Sequence, residues 1–310
     1  MLEVVDWGHE HLAEAAELVA GRCRNLREQV PLVPPRYERP EAVLPLLEPL
    51  AGSPGVVAIH DGRLTGFLTR LVVEDFMGRR SAYSPEWANG ACGDESPWIY
   101  EDMYQHLSAR WLADECYQHV VTVLANDVDG LFTWHWLGFG CLIVDAVRGL
   151  EPVAGEAAAV EIRRAGPTDV AQVNALGRAL EAHMLAAPAF WVEEASDAAQ
   201  NLQDPSYAFW LAHGDAQVLA GIGLAADLDG CDVLRDEGTI GIVSAYTHEQ
   251  ARGRGVATAL LNKSLAWAQA ENYQRCAVDF QTANLLGSRF WMRYFEPVCY
   301  SLSRCIDERV

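Results

Sequence analysis

The stretch Gln250-Ala251-Arg252-Gly253-Arg254-Gly255-Val256-Ala257 decides how this chain is read. It follows a strand-like segment, Thr239 to Thr247, and opens a helix-like one, Val256 to Ala270. A glycine-rich turn between strand and helix leaves backbone N–H groups unpaired, and the helix macrodipole adds roughly half a positive charge at the same end. Such a site attracts a phosphate or pyrophosphate. The two glycines tolerate positive φ and carry no Cβ where backbone and anion must approach closely. Arg252 and Arg254 bring positive charge in a chain whose formal net charge is −20. The turn is not a dinucleotide fingerprint, because Thr258 stands at the third glycine position, and no G-x-x-x-x-G-K-S/T run occurs anywhere. For the motif alone, an ordinary glycine turn is the alternative to a phosphate loop.

Outward from the loop, the C-terminal half has a regular order. Glu151 to Ala159 is small and without apolar periodicity and reads as a linker between domains at 1–150 and 160–310. A strand near Val160 leads to a helix over Val170–Met184, capped by Thr168 or Asp169. A hairpin follows, Ala208–His213 and Val218–Ala225, then the motif strand and helix. Ala257, Leu260, Leu261, Leu265 and Ala268 give that helix one apolar face. A strand at Cys276–Phe280, a short helix over 283–293 and a strand at Val298–Ile306 complete the half.

The N-terminal half repeats this order, with a hairpin near Val57–Val73, a strand near Arg80–Tyr83, a helix at Tyr104–Ala113 and a strand at Val120–Leu124. Phe139 and Phe295 are 156 residues apart, as are Arg148 and Arg304, which indicates an internal duplication. The first copy lacks the loop. Its equivalent segment, Trp87 to Glu95, carries Asp94 and Glu95 where the other carries arginines. Two like charges near a pyrophosphate would cost about 1–3 kcal/mol at an effective dielectric near 20. This copy is therefore expected to bind no such pyrophosphate ligand.

Q-x-x-G-x-G after a strand and before an amphipathic helix resembles the acetyl-CoA loop of the GNAT (general N-acetyltransferase) superfamily. The resemblance is good over 160–310 and weak over 1–150. It implies an α/β fold of two tandem GNAT-like domains, each a mixed, mostly antiparallel sheet flanked by helices, with a degenerate first copy. It implies that the backbone from Tyr246, Thr247, His248 and Glu249 holds the pantetheine arm. Amides from Arg252, Gly253, Arg254, Gly255, Val256 and Ala257 would take the pyrophosphate. Asn284 stands where the family often places an Asn on the cofactor arm; a turn or helix cap explains it equally well. The reaction implied is acetyl transfer from acetyl-CoA to a primary amine of a small molecule, with no metal. The base candidates are His248, Glu249, Asp279, Asp236 and Glu237, with Glu237 preferred because the family often uses an acid on or before this strand. The family's Tyr acid is replaced by Trp291, so Tyr294, nearly one turn later, is the substitute. The Gly that normally precedes the final Phe is also missing before Phe295. These departures keep open an acyl-CoA-binding sensor without catalysis.

Composition sets the remaining expectations. With 43 acidic residues against 23 basic, neither nucleic acid nor an anionic membrane is an expected partner, whereas a cationic amine would be steered inward; the same charge also serves solubility. No apolar stretch is long enough to span a bilayer, and Met-Leu-Glu-Val-Val-Asp lacks the basic start of a secretory signal. The eight cysteines form no C-x-x-C pair, which fits reduced residues of a cytoplasmic protein.

Overall fold

The computed structural model describes residues 2–93, 96–155, 158–192, 198–214, 217–228 and 230–309. In chain order the principal elements are β1 (Leu2–Asp6), α1 (Leu12–Gln29), α2 (Pro40–Leu47), β2 (Val56–His60), β3 (Arg63–Leu68), β4 (Leu71–Phe76), β5 (Arg79–Ser84), β6 (Asn89–Ala91), α3 (Ser96–Ala113), β7 (Gln118–Leu124), α4 (Val128–Trp136) and β8 (Gly140–Arg148). Then come β9 (Glu161–Arg164), α5 (Val170–Leu185), α6 (Ala198–Asn201), β10 (Tyr207–His213), β11 (Val218–Ala225), β12 (Thr239–Thr247), α7 (Val256–Ala270), β13 (Arg275–Gln281), α8 (Leu285–Tyr294) and β14 (Glu296–Cys305). The motif strand and helix have the limits expected from the sequence.

The chain forms two compact units, and the division is not linear. The first unit comprises Met1–Asp145 together with Cys231–Val233 and Pro297–Val310; the second comprises Ala146–Gly230 and Leu234–Glu296. The final strand thus belongs to the first unit, beyond the sequence boundary at 151–159. β14 pairs antiparallel with β7, from Cys299 opposite Leu124 to Cys305 opposite Gln118. Ladder hydrogen bonds are made by backbone, so any strand of suitable alternation serves at that position.

In the first unit the strands lie in two sheets, β1-β2-β3-β6 and β4-β5-β7-β14-β8. β5 runs parallel to β7, whereas β6, five residues on, joins β3 in the other sheet. The sequence reading missed the β4–β5 hairpin, whose turn places Met77 and Gly78 at φ 58° and 77°. The core gathers Tyr100, Met103, Tyr104, Trp111, Trp134 and Phe139 beneath Val121 and Val123.

In the second unit the order is β13-β12-β11-β10-β9. β12 pairs parallel with β13 only from Thr239 opposite Arg275 to Ile242 opposite Val278, and antiparallel with β11 along most of its length. Opposite Gly223 and Leu224 the β11 register skips Val243, a bulge that bends β12 where its pairing to β13 ends. The two parallel strands therefore part after Ile242 and Val278. At the head of α5, Asp169 does not cap with its side chain; its carboxylate accepts from Gly166 N at 2.9 Å and is forked by Arg163 at 2.7 Å.

Candidate active site

Beside the end of β12 that has left β13 lies a cleft of about 460 Å³. Its walls combine Ala245, Tyr246 and Thr247 of β12, Leu180 and His183 of α5, the loop from Ala251 to Thr258, and Asn284, Phe290, Trp291 and Tyr294 around α8. All belong to the second unit. A volume of this size suits a small-molecule or cofactor arm.

At one end lies the glycine turn. Gly253 and Gly255 adopt φ of 69° and 75°, the left-handed region that costs an L side chain steric strain. Gly255 is the N-cap of α7, and no side chain caps it. The first-turn N–H groups of a helix have no intrahelical acceptor, so this end offers donors and positive potential to an anion. A Cβ at Gly253 would meet nothing within 4 Å, which shows open space beside the loop. The arginines behave differently from one another. Arg252 lines the cleft, donates from Nε to Thr247 O at 3.0 Å, and lies 5.7 Å over the Tyr246 ring. Arg254 is exposed and outside the cleft wall.

The other expected residues divide in the same way. Tyr246, Thr247, Arg252, Gly253, Gly255, Val256, Ala257, Asn284 and Tyr294 are brought together; His248 and Glu249 are not on the wall. His248 donates its N–H to Leu219 O at 3.0 Å, and Glu249, 86% exposed, faces Arg252 at 3.5 Å. Glu237 is exposed and precedes the other end of β12, about 30 Å of extended chain from Tyr246. That geometry removes it as a base at this cleft. Trp291 is buried, edge-on to Phe290 and Phe295 at 4.8 and 5.5 Å, a packing side chain. The missing glycine has a visible consequence: α8 passes directly to extended Phe295, whereas α4 ends through Gly138 at φ 89°.

Asn284 is the N-cap of α8, its Oδ1 accepting from Gly287 N at 3.2 Å. The same Oδ1 lies 3.2 Å from His183 Nε2. An oxygen already accepting a backbone N–H is an acceptor, so Nε2 carries the imidazole proton and Nδ1 keeps the lone pair. The sequence reading missed His183, which lies in the helix before the motif at no recognisable spacing. Its only sequence signal is a polar aromatic near the end of an amphipathic helix.

Residues 177–295 match the Acetyltransferase (GNAT) family. The C-terminal half carries a GNAT domain. The N-terminal half shares the GNAT-like fold: the chain is similar to a GCN5-related N-acetyltransferase from Sphaerobacter thermophilus at 15% identity, covering 98% of this chain and 95% of that one, with a TM-score of 0.58. It is also similar to a tandem GNAT protein from the clavulanic acid biosynthesis pathway, at 14% identity over 98% of both chains and a TM-score of 0.50. No curated protein matches the sequence. The GNAT assignment supports acyl transfer as the general chemistry of the cleft.

Proposed function

We propose that the second unit transfers an acetyl group from acetyl-CoA to a primary amine of a small molecule. The observation that carries this reading is the glycine-opened N-terminus of α7, without a side-chain cap, on the wall of the cleft beside the free end of β12. The pyrophosphate would lie on the amides from Gly253 to Ala257, since the Arg252 N–H already donates to Glu249 O at 3.1 Å, and the acyl-bearing arm would lie along Ala245–Thr247. The amine nitrogen attacks the thioester carbonyl, the C–S bond breaks, and the thiolate leaves. An alkylamine is protonated at neutral pH and must lose a proton before attack. His183 Nδ1 is the acceptor on the cleft wall, and Asn284 is its positioning residue. Tyr294 is the nearby hydroxyl for reprotonating the thiolate, although a thiol pKa near 8.5 also allows release to water. Cationic amines are the favoured acceptors, since acidic residues outnumber basic ones by 43 to 23. No disulfide joins the described cysteines, which fits the proposed reducing, cytoplasmic setting. No described helix is long and apolar enough to cross a membrane.

The test is a panel of primary amines, polyamines and aminoglycosides included, assayed for free thiol release from acetyl-CoA. Amine-dependent release supports the proposal. Tight cofactor binding with release no faster than hydrolysis supports a non-catalytic acyl-CoA sensor instead. With an accepted amine, His183→Gln should lower kcat by about 100-fold with acetyl-CoA affinity unchanged. An unchanged kcat in this variant would remove His183 as the base.

A further inference from the structure

The tripeptide Cys231–Val233 leaves the second half of the sequence to pack in the first unit. Hydrogen bonds hold it on every residue. Cys231 N donates to Asp145 Oδ1 at 2.9 Å, Val233 N donates to Glu86 Oε1 at 3.0 Å, and Trp87 Nε1 donates to Asp232 Oδ2 at 2.7 Å. The consequence is a gathering of carboxylates around one thiol. A second thiol, Cys299, arrives on β14. The two sulfurs and a carboxylate oxygen of Glu86 all lie within 4.8 Å of one another, and all three residues are buried.

Glu86 is 2% exposed, and its Oε2 has no hydrogen-bond partner. A buried carboxylate oxygen without a donor is costly, and an ion or water is among the groups that satisfy one. We propose that Glu86, Cys231 and Cys299 bind a thiophilic divalent cation of the zinc class. Two thiolates and one carboxylate are a donor set for such an ion, and the fourth tetrahedral position falls to water or a neighbouring carboxylate. On binding, each thiol gives up its proton to solvent and forms a sulfur–metal bond, with no change of oxidation state. The ion would clamp three chain segments: the crossover between β5 and β6, the 231–233 excursion, and β14. Burial implies that it enters as the chain folds.

The probe is Co²⁺ in place of the native ion. Full-length protein with exposed Cys92→Ser and Cys305→Ser would be produced in cobalt-supplemented medium and purified under reductant. The expected result is about one cobalt per chain with a thiolate-to-cobalt charge-transfer band and intense tetrahedral visible bands. Cys299→Ser should lower the charge-transfer band and cut retained cobalt to about a tenth. The near-isosteric Glu86→Gln keeps both sulfurs and should shift the visible bands while weakening retention. A folded parent protein without these bands, or with bands unchanged in folded Cys299→Ser and Glu86→Gln, overturns the proposal. So does a parent chain whose mass is two hydrogens short without reductant and whose cobalt is absent, since that marks a Cys231–Cys299 disulfide.

Discussion

The two units build the same corner from different residues, and only one leaves it open. An offset of 157 residues places Tyr100 on Ala257, Asp127 on Asn284 and Trp134 on Trp291. In the second unit Ala257 is a small residue on the cleft wall, and Asn284 meets a half-buried histidine. In the first, Tyr100 is fully buried and donates its hydroxyl to Asp127 Oδ2 at 2.7 Å. Arg22, from α1, donates to the same carboxylate oxygen at 2.5 Å and to Asn89 O at 2.8 Å. Asn89 in turn donates to Pro85 O at 2.8 Å and to Thr122 O on β7 at 3.0 Å, bridging the place where the strands part. A Cβ at Gly90 would already lie 2.6 Å from Leu18 and 2.7 Å from Arg22. Both caps persist, since Asp127 accepts from Gly130 N at 2.9 Å much as Asn284 accepts from Gly287 N. What changed is occupancy: side chains fill in one copy the volume that remains a cleft in the other.

If that packing is structural, breaking it should cost stability without creating a second cofactor site. Arg22→Ala leaves Asp127, with a side chain only 14% exposed, without its counter-charge. The expected loss is about 3–5 kcal/mol, read from denaturant unfolding of the first unit. A new acetyl-CoA site in this variant would show that the corner is a masked binding site.

The second contrast lies one strand inward, where His119 of β7 stands at the position of Cys276 in β13. His119 is 1% exposed; its Nε2 donates to Cys116 O at 3.1 Å and its Nδ1 accepts from Tyr104 OH at 2.8 Å. Burial, aided by the Arg304 and Arg70 charges, pushes its pKa down to about 4 from an ordinary 6.5. The native state therefore holds it neutral while the unfolded chain protonates near pH 6.5. Its contribution is present above that pH and is lost as pH falls from about 6.5 to 4, a loss of about 3 kcal/mol. His119→Cys should flatten the first unit's stability between pH 6.5 and 4 relative to the unsubstituted chain. An unchanged pH dependence in folded His119→Cys would refute this.

The smallest expected effect is the loss of a cap alone, at Asn284. Asp127→Ala and Asn284→Ala each remove a cap worth about 1 kcal/mol. Only the first also strands Arg22, so Asp127→Ala should cost the more in thermal unfolding; equal costs would mean the ion pair adds nothing.

Much of this contrast was legible in the sequence. The motif strand and α7 were delimited by apolar alternation, glycines and helical spacing. The repeat was visible through Phe139 and Phe295, whose offset of 156 differs from the caps' 157 because α8 lacks the counterpart of Gly138. Among the cleft residues, Gly253 and Gly255 were legible because their positive φ favours glycine, whereas Tyr246, Thr247, Arg252, Val256, Ala257, Asn284 and Tyr294 came from the GNAT resemblance. Glu237 failed because distance along a strand does not report which end opens. His183 and Arg22 were missed because helix residues reach a cleft through packing, not spacing. The transfer of Pro297–Val310 to the first unit left no sequence signal, since β8 and β14 are both strands of ordinary alternation. Asp94 and Glu95, expected to repel a phosphate from the first copy, lie outside the described residues.

The central claim is that one corner of two takes the cofactor. Calorimetric titration of acetyl-CoA into the full chain, beside Gly253→Asp, tests it most directly. The account predicts one site per chain, weakened in the variant by about 1–3 kcal/mol or more through a carboxylate placed at the phosphate loop. Two sites, or one site indifferent to Gly253→Asp, would contradict it.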